Sequence, residues 1–122
     1  MTGVELDILC KAAGFDGYLT TGSFGYVAYP PNHTDMSEWL VNSVHGLVCV
    51  RKIQFSKKEK RITYATKYKK DIEELDPKQF AKDMVQLAAD YDKLHKKELN
   101  AKMLNDINKD FEWLMNISRN MD

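Results

Sequence analysis

The chain has 122 residues, of which 43% are hydrophobic and 30% are charged, and its 18 basic side chains balance its 18 acidic ones. This composition is typical of one folded domain and is too apolar for a disordered chain. No stretch reaches the roughly 18 apolar residues of a membrane span, and the N-terminus lacks the pattern of a secretory signal. We therefore expect a cytoplasmic protein with no membrane partner.

The N-terminal segment predicts a helix and then a β-hairpin. Thr2 and Glu5 have the spacing of a capping box, and Gly14 stands where that helix ends. The runs 16–20 and 24–29 are rich in aromatic and β-branched residues and flank a short turn that contains glycine. Two prolines close the predicted hairpin.

Residues 33–46 predict a second helix. Asp35 or Thr34 is placed as its N-cap, and Glu38 is placed to complete a capping box. Gly46 lies just beyond the last turn, where a left-handed residue is favoured.

A second hairpin is predicted from strands at 47–55 and 60–68 around a loop at 56–59. In that register Ile53 lies opposite Ile62. Strict alternation then gives a packed face that is largely apolar, with Leu47, Cys49, Arg51, Ile53, Phe55, Ile62, Tyr64, Thr66 and Tyr68. The other face is basic and carries Val48, Val50, Lys52, Gln54, Arg61, Thr63, Ala65, Lys67 and Lys69.

The remaining residues, 71–122, are helix-forming, but their apolar stripe changes side. Phe80 and Met84 begin a stripe with heptad-like spacing. A second stripe projects roughly 150° around the same helix and consists of Leu99, Met103, Ile107, Phe111 and Leu114. Either the segment breaks into a helical hairpin, or it stays one long helix whose second half is buried against another chain. Both alternatives allow a homodimer through this segment.

These elements predict an α+β protein with the order αββαββ, in which two hairpins form an antiparallel sheet and a long C-terminal helical segment follows. We expect one domain over 1–122, with an α/β-hairpin core at 1–70 and the helical segment at 71–122.

Charge is strongly segregated along this neutral chain. Residues 51–70 hold nine basic side chains and one acidic one, a net charge of +8, and the segments before and after it each carry −4. The basic face of the second hairpin is solvated, is neutralised by the acids at 71–76, or binds an anionic partner. The candidate binding residues are Lys52, Lys57, Lys58, Lys60, Arg61, Lys67 and Lys69.

These features favour a non-enzymatic binding or regulatory protein that engages a polyanion, such as a nucleic acid backbone, or an acidic protein surface. One alternative is a small inhibitor or modulator of a larger nucleic-acid-handling or defence complex, of the kind that mobile elements encode. Another is a small-ligand or nucleotide pocket at Thr21, Gly22, Ser23 and Gly25.

Catalytic chemistry is not indicated by any motif in the chain. We expect no cofactor and no metal site, because the histidines and cysteines lack the spacing of metal ligands. The acids at 71–76 leave a metal-dependent nuclease as an alternative, in which they would hold Mg²⁺ beside the basic hairpin.

Overall fold

Five antiparallel strands form one sheet in the order β1-β2-β3-β4-β5, and a long helix follows it. The computed structural model describes residues 1–20 and 25–120, with side chains for 1–19 and 25–107. Its elements are α1 (Gly3–Ala12), β1 (Asp16–Thr20), β2 (Gly25–Tyr29), β3 (Val41–Val44), β4 (Leu47–Ser56), β5 (Arg61–Asp71) and α2 (Pro77–Asn120), with 3₁₀ turns at Met36–Glu38 and Ile72–Glu74. The predicted α+β class is confirmed, with five strands in place of two separate hairpins.

Both helices pack on one face of the sheet. The strand register places Tyr26 opposite Ser43 and Ala28 opposite Val41, so β2 and β3 present these side chains to the same side. The core formed there is made of Leu6, Cys10, Phe15, Tyr26, Ala28, Leu40, Val41, Val48, Val50, Leu75, Phe80, Met84 and Leu87. Burial of this apolar set is the main stabilising contribution to the fold.

The predicted N-caps at Thr2 and Asp35 are both confirmed. The Thr2 hydroxyl accepts a hydrogen bond from the Glu5 amide at 3.2 Å. Asp35 forms a capping box with Glu38, but the element that it caps is the 3₁₀ turn at Met36–Glu38.

The helix predicted at 33–46 is wrong. Its second half is the strand β3, which lies between β2 and β4 and pairs with both. Neighbours on both sides satisfy its backbone, which outweighs the weak helical preference of a segment that contains Val41 and Val44. His45 and Gly46 have positive φ angles of 52° and 78°, as a tight turn between antiparallel strands requires.

The predicted register of the second hairpin is wrong by two residues. Phe55 pairs with Ile62, and the loop is therefore 57–60. Ser56 closes this loop, because its carbonyl accepts from the Lys60 amide at 2.7 Å and its hydroxyl accepts from the Glu59 amide at 3.1 Å. A shift of two residues leaves each side chain on its predicted face near the hairpin tip.

A bulge exchanges the two faces of β4 nearer the sheet, whereas Tyr68 of β5 stays on its predicted packed face. Val50 pairs with Tyr68 and Arg51 pairs with Thr66, so Lys67 has no partner across the ladder. Beyond the bulge Ile53 packs against the core as predicted, but before it Val48 and Val50 are buried, and their predicted place on the basic face is wrong. An extra residue in one strand rotates the side chains that follow it, which alternation alone does not reveal.

The C-terminal segment is one continuous helix and not a helical hairpin. Its 44 residues give α2 a length of roughly 66 Å at 1.5 Å per residue. The first half is held against the sheet by buried residues such as Phe80 and Tyr91. Glu98 is anchored to the sheet edge, since its Oε2 accepts a hydrogen bond from the Ile62 amide at 2.9 Å.

Gly17 of β1 lies against a crowded polar cluster in the core. A Cβ atom there would collide with the Tyr26 hydroxyl and would lie 2.8 Å from Oδ1 of Asp7. Within the described residues, neither the Tyr26 hydroxyl nor this Oδ1 atom has a hydrogen-bond partner of good geometry.

We expect Gly17→Ala to lower the free energy of unfolding by about 1–3 kcal/mol, through overpacking. Tyr26→Phe removes the nearest colliding atom and should recover part of that loss in the double variant, because Cζ of the ring still lies 2.8 Å from the Cβ position. Urea denaturation of the four proteins measures the coupling. Gly3→Ala is the control, because no atom lies within 4 Å of a Cβ at Gly3. Equal losses from Gly17→Ala with and without Tyr26→Phe would contradict this account.

Candidate functional site

The second hairpin extends well beyond the rest of the sheet. β3 pairs only with Leu47–Val50 of β4, so the remaining part of the hairpin, 51–66, is a two-stranded ribbon that ends in the loop 57–60. A ribbon of this kind presents side chains to solvent from its outer face, its edges and its tip.

All seven predicted binding residues are exposed on this hairpin, and we call them the basic hairpin surface: Lys52, Lys57, Lys58, Lys60, Arg61, Lys67 and Lys69. Of these seven residues, only Arg61 forms an ion pair with a described residue, and its partner is Glu59 at 2.8 Å. The positive charge of this surface is therefore largely uncompensated by the carboxylates that the structure describes.

Two of the lysines, Lys52 and Lys69, lie on the side of the hairpin away from the helices. Lys52 alternates with Ile53, and Lys69 alternates with Tyr68, and both of these neighbours pack against the core. Lys67 is the bulged residue and is exposed to solvent. The outward orientation of Lys52 and Lys69, predicted from alternation, thus persists although the alternation itself is interrupted.

The acids at 71–76 act locally at helix ends. The Asp71 carboxylate accepts a hydrogen bond from the Glu73 amide at the start of the second 3₁₀ turn, and the Asp76 carboxylate accepts from the Lys78 amide at the start of α2. Among the described side chains, none of these acids pairs with the basic hairpin surface. No group of three or more His, Cys, Asp or Glu in the described part of the chain is placed to hold a metal ion.

Two of the three aromatic rings of the hairpin are engaged inside the protein. Tyr64 and Tyr68 pack against the core, and the Tyr68 hydroxyl donates to Oδ2 of Asp83 at 3.1 Å. Burial raises the pKa of both phenols, with nearby carboxylates adding to the effect. These rings are not available as stacking platforms for nucleic acid bases.

Sequence reasoning missed two lysines of α2 that belong beside this surface. A depression of about 390 Å³ separates the hairpin from α2, with Ile53, Phe55 and Leu94 among its lining residues. Lys57 of the loop shares this depression with Lys93 and Lys97. The spacing of four residues between Lys93 and Lys97 was visible in the sequence, but only the tertiary structure brings them next to Lys57.

Arg51 is a basic residue of the hairpin that does not belong to this surface. Its guanidinium lies 3.6 Å from the centre of the Trp39 ring, and Nη1 donates to the carbonyls of Ser37 at 2.7 Å and Trp39 at 3.2 Å. Burial lowers the pKa of this guanidinium, which nevertheless remains charged. Arg51 thus fastens the segment before β3 to β4.

The other predicted ligand site falls mostly outside the described residues. Thr21, Gly22 and Ser23 lie there, while Gly25 is buried at the start of β2 and pairs with Thr20. Both cysteines are buried thiols, as expected. Burial raises the pKa of Cys10 to about 12, so its reactive thiolate form is not populated at neutral pH.

The predicted partner face of α2 is exposed along its described part. Leu99, Met103 and Ile107 have 47%, 60% and 58% of their surface accessible to solvent. The side chains of Phe111 and Leu114 lie outside the described residues.

No family model, curated protein or solved structure matches this chain. Its function is therefore inferred from its own residues. The described helices include none that is long and apolar enough to cross a membrane. The cytoplasmic location stays a prediction.

Proposed function

We propose that this protein is a non-enzymatic binding protein that engages the phosphate backbone of a nucleic acid through the basic hairpin surface. One observation carries the proposal: seven cationic side chains are exposed on one hairpin, five of them on its projecting ribbon, and only Arg61 among them has an acidic partner within the described residues. Each phosphate that such a side chain neutralises releases a condensed counterion, which drives binding at low salt.

Lysines on a ribbon suit phosphates better than bases. Six of the seven cations are lysines, whose ammonium groups act as point charges and not as planar forks that read base edges. The rings of Tyr64 and Tyr68, which could otherwise stack on bases, are packed inward. The binding should therefore depend weakly on base sequence and strongly on salt.

Lys93 and Lys97 extend the same surface along α2. They line the depression beside Lys57. A nucleic acid strand bound there would therefore meet cations on both walls of the depression. An acidic protein surface presents carboxylates in place of phosphates, and a small inhibitor of a larger nucleic-acid-handling complex would use the same cations against such a partner. An acidic protein partner and a role as an inhibitor are therefore the alternatives to nucleic acid binding.

A homodimer through α2 is the second part of the proposal. The second half of α2 carries an exposed apolar stripe, formed by Leu99, Met103 and Ile107. A stripe of this length favours burial against a partner.

Replacing Lys57, Lys58 and Lys60 together by glutamine should weaken binding to a short DNA or RNA duplex roughly 10- to 100-fold at low salt. The slope of log Kd against log salt should fall by up to about 0.9 for each phosphate contact that is lost. Fluorescence anisotropy between about 50 and 200 mM salt measures both quantities. The matched control is the double replacement of Lys78 and Lys82, which are exposed on the first turns of α2.

Absence of binding by the wild-type protein at low salt would refute the nucleic acid proposal. Binding to polyglutamate without binding to either duplex would instead support an acidic protein partner. A salt slope unchanged by the triple replacement would show that the loop lysines do not contact phosphates.

A further inference from the structure

One aromatic ring of the second hairpin lies outside the core. Phe55 is half-buried and does not belong to the core cluster, whereas Tyr64 and Tyr68 pack against that cluster. Phe55 stands near the tip of the ribbon and lines the depression between the hairpin and α2, together with Ile53 and Leu94. These three side chains give the depression an apolar lining on which a flat group can pack.

Lysines stand on both walls of this depression. Lys57 lies on the loop wall, and Lys93 and Lys97 lie one helical turn apart on the α2 wall. All three are exposed, and none forms an ion pair with a described carboxylate. Asp90 also lines the depression, and its Oδ1 accepts a hydrogen bond from Nε2 of Gln86 at 2.9 Å. Three lysines and one aspartate give the lining a net charge of +2.

An apolar lining with an aromatic ring between walls of lysine matches the chemistry of an unpaired nucleotide. A base has flat faces that stack on an aromatic ring, and the phosphates on either side of it carry the charge that ammonium groups attract. The volume of about 390 Å³ lies within the range of roughly 300–1,000 Å³ that is typical of small-ligand sites. The bases of a duplex are stacked on one another, so only an unpaired base can reach the ring.

We propose that the depression binds one unpaired nucleotide of a nucleic acid strand, with its base stacked on Phe55 and its flanking phosphates held by Lys57, Lys93 and Lys97. This inference deepens the proposed function, on which it rests, because it names the single-stranded segment as the part of the nucleic acid that this site takes. Lys57 belongs to the basic hairpin surface, so a strand that places a base in the depression continues along that surface. The preference among bases stays weak, since every base offers a face for stacking.

An abasic strand tests the stacking, because it keeps the phosphates and lacks the bases. The wild-type protein should bind oligothymidylate of about 12 nucleotides at least about fivefold more tightly than an abasic strand of equal length, as measured by fluorescence anisotropy at about 50 mM salt. Phe55→Leu should lose this difference and leave the affinity for the abasic strand and for a duplex unchanged. Phe55→Tyr retains a flat ring and should keep the difference. Urea denaturation checks that each variant is folded.

Replacing Lys93 and Lys97 together by glutamine tests the α2 wall. The affinity for oligothymidylate and for the abasic strand should fall roughly tenfold, and the slope of log Kd against log salt should fall by up to about 0.7 for each phosphate contact that is lost. The matched control is the double replacement of Lys78 and Lys82, which have the same spacing on α2 and do not line the depression. Identical salt slopes in the Lys93 and Lys97 variant and in the wild-type protein would overturn the site.

The remaining outcomes separate this site from the proposed function. Equal affinity of the wild-type protein for oligothymidylate and for the abasic strand would overturn the stacking and leave phosphate binding in place. Absence of binding to both strands and to a duplex at low salt would refute the proposed function itself. Tighter binding of a glutamate-rich peptide that carries tryptophan than of oligothymidylate would assign the depression to an acidic protein partner and overturn the nucleotide site.

Discussion

Raising the pH to about 11 is expected to unfold this protein, because five buried or half-buried acids must lose protons that the folded state retains. Burial raises the pKa of Cys10 from 9.0 to about 12, and the Asp7 carboxylate adds to the effect. Burial likewise raises the pKa of Tyr91 to about 12 and moves those of Tyr26, Tyr64 and Tyr68 upward from 10.0. All five groups therefore favour the folded state only while they stay protonated.

The sign follows from proton counting. Above about pH 9 the unfolded chain begins to lose protons that the folded chain keeps, so the free energy of unfolding falls as the pH rises. Each such group contributes about 1.4 kcal/mol per pH unit once it is ionised in the unfolded state. The sum by about pH 11 is roughly 4–8 kcal/mol, comparable with the whole stability of a small domain.

Circular dichroism across the alkaline range measures the unfolding midpoint. Tyr68→Phe removes one of the five groups, so it should reduce the slope of unfolding free energy against pH. Tyr18→Phe is the control, because that ring is 53% exposed. A helical signal that persists unchanged beyond about pH 12, above the Cys10 and Tyr91 values, would show that these groups are not sheltered as the structure indicates.

The second large effect is expected at Arg51. Arg51→Ala removes two charge-assisted hydrogen bonds to backbone carbonyls together with the stacking on Trp39, and should lower the free energy of unfolding by about 2–4 kcal/mol. Arg51→Lys should recover less than half of that loss, because an ammonium group cannot both stack flat on the indole ring and reach both carbonyls.

The neighbouring position supplies the matched comparison. Lys52 is exposed on the same strand, so Lys52→Ala should change the stability by no more than about 0.5 kcal/mol in the same urea titration. Full stability in Arg51→Lys would show that charge alone, and not the planar geometry, holds the 36–39 segment on β4.

Local sequence patterns determined several features of this protein. Thr2 and Asp35 act as N-caps as predicted, although Asp35 caps a 3₁₀ turn and not the predicted helix, since a side-chain oxygen near an unpaired backbone amide acts over a few residues. The absence of glycine and proline after Pro77 indicates a helical segment for the same local reason. The concentration of cations in residues 51–70 and the two apolar stripes on different sides of α2 can likewise be predicted from the order of residues alone.

Long-range contacts decided the rest. Residues 41–44 carry a helical start signal upstream, yet pairing with β2 and β4 makes them a strand, and no local pattern records those partners. The bulge at Lys67 buries Val48 and Val50, and the packing of α2 brings Lys93 and Lys97 next to the hairpin loop. Sequence thus determined the type and charge of most elements. Tertiary structure decided the strand register, which side chains face the core and which residues lie close together, because these properties depend on residues that meet only after folding.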